Sequence, residues 1–183
     1  MTPQQLRLLA GLLAMPEKES LAVLEELAVQ NNWLSEPVQE LKGISLGRWQ
    51  AEHTQLFING YPKTPCPPFE SVYRHEMMNG PACSELESLY QSIGLEPIEG
   101  VPADYLGMML ECAAFLLELP PSSEAEEASN EPSVETKETA KTHFQTLWQT
   151  HLAKWVPKFA NDLQQHSQLR LYQQLGLKLQ ALF

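Results

Sequence analysis

His75-Glu76-Met77-Met78-Asn79 opens like the HExxH helix of zinc proteases, where two histidines one turn apart hold the metal. Asn79 stands where the second histidine is needed, so the site cannot close without distant ligands. Cys66, His75 and Cys83 offer other donors, but their spacing matches no common zinc pattern. The chain has no P-loop, no GxGxxG turn and no GxSxG nucleophile elbow. His53, His143, His151 and His166 fall on expected helices with no nucleophile nearby in sequence, and read as helix-face or partly buried side chains. The acid pairs Glu17/Glu19, Glu25/Glu26 and Glu126/Glu127 read as solvated faces or linker.

Asp104 and Glu111 are less ordinary. Asp104 follows Pro102, where a carboxylate suits a helix N-terminus, and Glu111 lies seven residues on within an apolar run. They form either a cap plus one buried, paired glutamate, or acids facing a ligand. No catalytic constellation emerges, so the residues point to binding rather than catalysis, with no metal and no cofactor expected.

The elements that must position these residues are helical nearly throughout. Thr2-Pro3-Gln4-Gln5 is a capping-box start, followed by Leu6, Leu9 and Leu13 at helical spacing. A second helix follows a cap at Ser20, a third starts at Ser35-Glu36-Pro37 and stops at Gly43, and Ser45 opens a fourth. That fourth helix carries Leu46, Trp49, His53, Leu56 and Phe57 on one stripe. Gly60 and four prolines (Pro62, Pro65, Pro67, Pro68) then form a loop interleaved with Tyr61, Phe69 and Tyr73. Ser84-Glu85-Leu86-Glu87 reads as another capping box, for a helix stopped at Gly94. From Pro102 to Leu119 the chain is apolar on most sides, which predicts a central buried helix. Helix resumes near Thr139; Pro157 should kink it or start a new one, and a last helix runs from about 168 to 182. No strand pair or hairpin signal appears.

The expected fold is all-α, about eight helices in one bundle-like domain spanning 1–183. Its main part is 1–119 and its C-terminal helices are 141–183. Between them, 120–140 is rich in Pro, Ser, Glu and Thr and reads as a flexible acidic linker.

Charge narrows the partner. The net charge is −11, and residues 1–119 carry 16 acids against 6 bases. Such a surface repels phosphates, which argues against nucleic acid and suits a cationic partner. The longest apolar stretch, 106–119, contains Glu111 and Glu118 and is too short to span a membrane. Three cysteines without CxxC spacing and a start lacking signal-peptide features fit a cytoplasmic protein.

Three blocks carry a family resemblance. The first is Trp49…Leu56-Phe57…Gly60-Tyr61-Pro62…Pro65…Pro68-Phe69-Glu70-Ser71-Val72-Tyr73. The others are Pro102-Ala103-Asp104-Tyr105-Leu106 with Leu110-Glu111, and His151-Leu152…Trp155…Pro157…Phe159. Together they resemble the TorD/DmsD/NarJ family of molybdoenzyme maturation chaperones, over most of the chain from about residue 45. Tyr105 departs from the pattern, standing where the family usually has His. The resemblance implies a non-enzymatic, all-helical chaperone. It would bind the N-terminal twin-arginine leader of a molybdoenzyme catalytic subunit, delay export and assist cofactor insertion. It also implies a monomer or a domain-swapped homodimer, which a long tether permits. The expected peptide groove combines Leu56, Phe57, Tyr61, Pro68, Phe69, Ser71, Tyr73, Asp104 and Tyr105, with Glu70, Glu76 and Glu111 as anionic partners. The alternative is a general helical adaptor for another protein's apolar helix or peptide.

Overall fold

A computed structural model describes residues 1–119 and 134–183, with side chains for 1–119 and 140–183. Most of the expected acidic linker, 120–133, lies outside the described residues. The all-α expectation is borne out: ten α-helices and no strands among the described residues, with one isolated antiparallel bridge between Phe69 and Tyr105. The helices are α1 (Pro3–Gly11), α2 (Ser20–Gln30), α3 (Ser35–Lys42), α4 (Leu46–His53), α5 (Glu70–His75), α6 (Pro81–Ser92), α7 (Leu106–Glu118), α8 (Val134–Gln145), α9 (Ala153–His166) and α10 (Arg170–Gln180). Two π-helical turns, Thr54–Ile58 and Thr146–Leu152, extend α4 and join α8 to α9. The chain divides into two compact units, each assembled from separated segments: residues 1–11 with 69–155, and residues 12–68 with 156–183.

In the first unit α7 is central, as its composition predicts, with eight buried residues including Met109, Leu110, Ala113 and Ala114. It packs on α1, whose Leu6, Leu9 and Ala10 form the buried stripe. The Thr2 cap is real: Thr2 Oγ1 accepts the Gln5 N–H at 3.2 Å, and Gln5 Oε1 accepts the Thr2 N–H at 3.0 Å. The expected start of α6 is corrected. Ser84 lies inside the helix, which begins at Pro81 with Gly80 at the cap, an arrangement that suits proline because a first-turn N–H has no intrahelical partner. At the other end, Gly94 takes the left-handed conformation (φ +74°) and Leu95 N–H closes onto Tyr90 C=O at 2.9 Å. Helix α8 is described from Val134, earlier than the expected start near Thr139.

The second unit has an aromatic interior. Phe57 meets His53 at 4.9 Å, Tyr172 at 5.3 Å and Phe159 at 6.3 Å between ring centroids, and Trp49 Nε1–H donates to the Tyr172 hydroxyl at 3.0 Å. Each such buried ring contributes about 1.5–3 kcal/mol of burial free energy. Gly176 permits close approach of α9 and α10, since a Cβ there would sit 2.7 Å from Ala160 O. Ser45 caps α4 as expected, accepting Arg48 N–H. Ser20 does not cap α2; it begins that helix and its hydroxyl accepts Glu17 N–H at 2.8 Å. Pro157 does not start a new helix: α9 runs through it. Among the described residues, no helix is long and apolar enough to cross a membrane.

Candidate functional site

The motif residues of the first unit converge on the N-terminus of α5. Phe69 arrives extended and bridges Tyr105, and Glu70 N–H donates to Asp104 C=O at 3.1 Å. The Asp104 side chain then caps α5 from 33 positions away: its Oδ2 accepts Ser71 N–H at 2.7 Å. A carboxylate there satisfies one orphan amide and faces the positive end of the helix. Its Oδ1 accepts the Cys83 thiol at 3.0 Å, and Ser71 Oγ accepts Gly80 N–H at 3.0 Å. Asp104, Ser71 and Cys83 are all buried. The expected role of Asp104 is thereby corrected: it serves α5, not the helix that follows it. Burial first, and Asp104 second, push the Cys83 thiol up to about 11, so it acts as a hydrogen-bond donor and not as a nucleophile.

Glu70 is fully buried and occupied. It pairs with Arg74 one turn along α5, and both its oxygens lie 3.1 Å from His151 Nδ1. His151 sits in the Thr146–Leu152 π turn, where Ala153 N–H reaches back to Trp148 C=O. Its other nitrogen is 4.0 Å from Glu85 Oε2 on the exposed side of α6. A buried carboxylate needs such company, because a lone charge in the interior is very costly.

The motif also supplies three half-buried aromatics, Phe69, Tyr73 and Tyr105. The Phe69 and Tyr105 rings are 5.7 Å apart, and Tyr73 lies 5.4 Å from Trp155. Burial pushes the Tyr105 hydroxyl up. Gly107 gives the Tyr105 ring its place, since a Cβ at 107 would come within 2.5 Å of Tyr105 Cε1. Glu76 is exposed at the end of α5, in left-handed conformation.

The other expected groove residues divide differently. Leu56 and Phe57 are 2% and 4% exposed and belong to the core of the second unit. Their helical stripe is real, but it is spent on packing, so they are not groove-lining side chains. Pro68 is likewise buried there, while Tyr61 of the same unit is 97% exposed. Ser71 and Asp104 are buried hydrogen-bonding groups rather than contact residues. Glu111 is neither buried nor gathered with Asp104: it lies on the exposed side of α7, 3.3 Å from Arg7 Nε, while Arg7 also holds Glu118 at 2.6 Å. As an anionic partner it is therefore already engaged. Among the described residues, no group of three or more His, Cys, Asp or Glu is placed to hold a metal. Cys66 and Cys112 are buried, and burial pushes both thiols up to about 12. The sequence reading passed over Gly80, Gly107 and Arg74, whose roles lie in contacts with Ser71, Tyr105 and Glu70 that no motif marks.

The model for the family described as nitrate reductase delta subunit matches residues 13–161. The chain belongs to this family. The resemblance to the TorD/DmsD/NarJ chaperones is thereby borne out, on its delta-subunit side. No curated protein gives a significant match. A crystal structure described as a candidate redox enzyme maturation protein from Archaeoglobus fulgidus is similar across 100% of this chain and 93% of that one, with a TM-score of 0.68 and 22% identity. At that identity the likeness speaks for the fold. For a delta-subunit family member, the buried Asp104–Ser71–Glu70–His151 frame now has a physical description: it fixes where α5 begins and what surrounds it.

Proposed function

We propose that this chain is a non-enzymatic chaperone for maturation of a nitrate reductase-like molybdoenzyme. It binds the N-terminal leader segment of the catalytic subunit, a twin-arginine leader where one is present, and assists cofactor insertion before export or assembly. It therefore works in the cytoplasm. The observation that carries this reading is the delta-subunit family match across residues 13–161. Two features of the molecule support it. The net charge of −11 favours a cationic segment, and the Asp104 frame fixes the start of α5, which follows the paired, half-buried rings of Phe69 and Tyr105, carries Tyr73 and ends at the exposed carboxylate of Glu76. Rings fixed in advance bind a mobile peptide with less entropic cost than rings that must first be ordered.

Co-purification from the native host, followed by mass spectrometry of the captured partner, tests the reading. The expected partner is a molybdoenzyme catalytic subunit, retained through its N-terminal segment. Capture of other proteins alone, with no molybdoenzyme among them, would assign the chain to the helical-adaptor alternative.

A further inference from the structure

The turn leaving α5 presents two adjacent methionines to solvent, Met77 at 52% and Met78 at 49% exposure. Thioether side chains on an exposed face are soft and adaptable, and suit an apolar partner of loosely defined sequence. This turn is not slack. Glu76 and Asn79, flanking the methionines, both hold left-handed conformations (φ 55° and 52°) that non-glycine residues adopt infrequently. Its far end is pinned where Gly80 N–H meets Ser71 Oγ. Gly80 lies close against Ser71: a Cβ there would sit 3.1 Å from both Ser71 Cβ and Oγ, a tight contact that Ser71 would have to yield to. Ser71 is itself fixed by Asp104. The buried frame therefore anchors the far end of the methionine turn as well as the start of α5.

The charge around the turn is one-sided. Glu76 is exposed within it, and Glu85, 57% exposed, lies one turn into α6. Neither forms an ion pair with a lysine or arginine among the described residues. The local cation, Arg74, is committed to buried Glu70; exposed His75 adjoins the turn, and buried His151 Nε2 lies 4.0 Å from Glu85 Oε2. An exposed apolar pair with exposed carboxylates on either side in sequence, which no described lysine or arginine engages, is complementary to an apolar segment flanked by basic residues.

We infer that the Met77–Met78 turn docks the apolar stretch of the client's N-terminal segment, with Glu76 and Glu85 facing the basic residues beside it. The inference rests on the chaperone reading and adds the contact surface to it. The probe is a synthetic peptide with two arginines followed by an apolar stretch, added to the full chain. Mild peroxide oxidation read by mass spectrometry should find Met77 and Met78 protected by saturating peptide. Met1 and Met15, exposed at 55% and 40%, should oxidise at an unchanged rate. The double substitution Met77→Ser with Met78→Ser should weaken peptide binding about tenfold or more with an unchanged melting temperature. Glu76→Gln with Glu85→Gln should weaken it several-fold and flatten its salt dependence. A wild-type chain that binds the peptide without protecting these methionines, with the serine variant binding equally well, overturns the inference and leaves the chaperone reading standing. Protection that grows with protein concentration in the absence of peptide would assign the turn to self-association and overturn it too. A wild-type chain that binds neither this peptide nor any molybdoenzyme subunit overturns the chaperone reading itself.

Discussion

The two units solve one problem, the exposed amides at a helix start, with the same device and to different ends. In the second unit, Glu52 of α4 reaches across to accept Gln168 and Leu169 N–H, both at 2.7 Å, while Glu40 of α3 accepts Arg170 N–H at 2.7 Å. These carboxylates tie α3 and α4 to the start of α10, within a unit whose interior holds His53, Phe57, Phe159 and Tyr172. In the first unit, Asp104 caps α5 in the same manner, but its network continues outward. Through Ser71 it reaches Gly80 and the methionine turn, and α5 itself carries Glu70, which is tied to Arg74 and His151. One buried acid closes a core; the other frames a surface. Burial alone does not separate the two, and what a carboxylate is connected to does.

The largest effect should come from Glu70. Glu70→Leu leaves His151 buried without its carboxylate and frees Arg74, and should cost about 3–5 kcal/mol in urea unfolding. A loss below about 1 kcal/mol would mean that the frame is not held by charge. Next come the two trans caps. Glu52→Ala and Asp104→Ala each strip buried N–H or S–H donors of their acceptor, and each should cost about 2–3 kcal/mol. A large disparity between them would break the parallel between the units.

A pH titration sharpens the contrast within the second unit. Burial holds His53 below its ordinary value although its Nε2–H donates to Leu13 C=O at 3.0 Å. With a folded pKa below the unfolded value, its stabilising contribution is present above about pH 6.5 and is lost as pH falls through the folded value. Stability measured from about pH 7 down to 5.5 should therefore fall more steeply in the wild type than in His53→Gln, which keeps a side-chain amide donor. Identical slopes would contradict a buried neutral imidazole. The smallest effect belongs to the surface: Glu36→Gln removes an exposed pair with Arg170 and should change stability by under about 1 kcal/mol.

Much of this was legible from sequence wherever the cause is local. The Thr2 and Ser45 caps, the left-handed Gly94 and the apolar character of α7 follow from residues within a few positions of one another. The trans caps do not, because nothing near Asp104 indicates that its partner is Ser71. Ser20 and Ser84 misled because a cap-type residue is permitted, not required, to cap. Pro81 and Gly80 supplied the α6 start instead. The stripe through Leu56 and Phe57 indicated a buried face correctly, but periodicity cannot distinguish a face buried in a core from one awaiting a peptide. Glu111 shows the converse. An acid in an apolar run looked buried, yet it marks the narrow side where α7 meets solvent and Arg7.

On the proposed function, the Asp104 frame positions the face that binds the client peptide. Calorimetric titration of a twin-arginine leader peptide into the wild type, Asp104→Asn and Glu52→Gln tests it most directly. Binding should be salt-sensitive in the wild type, near normal in Glu52→Gln and strongly weakened in Asp104→Asn, with both variants folded by circular dichroism. Equal binding by all three proteins, or equal weakening in both variants, would contradict it.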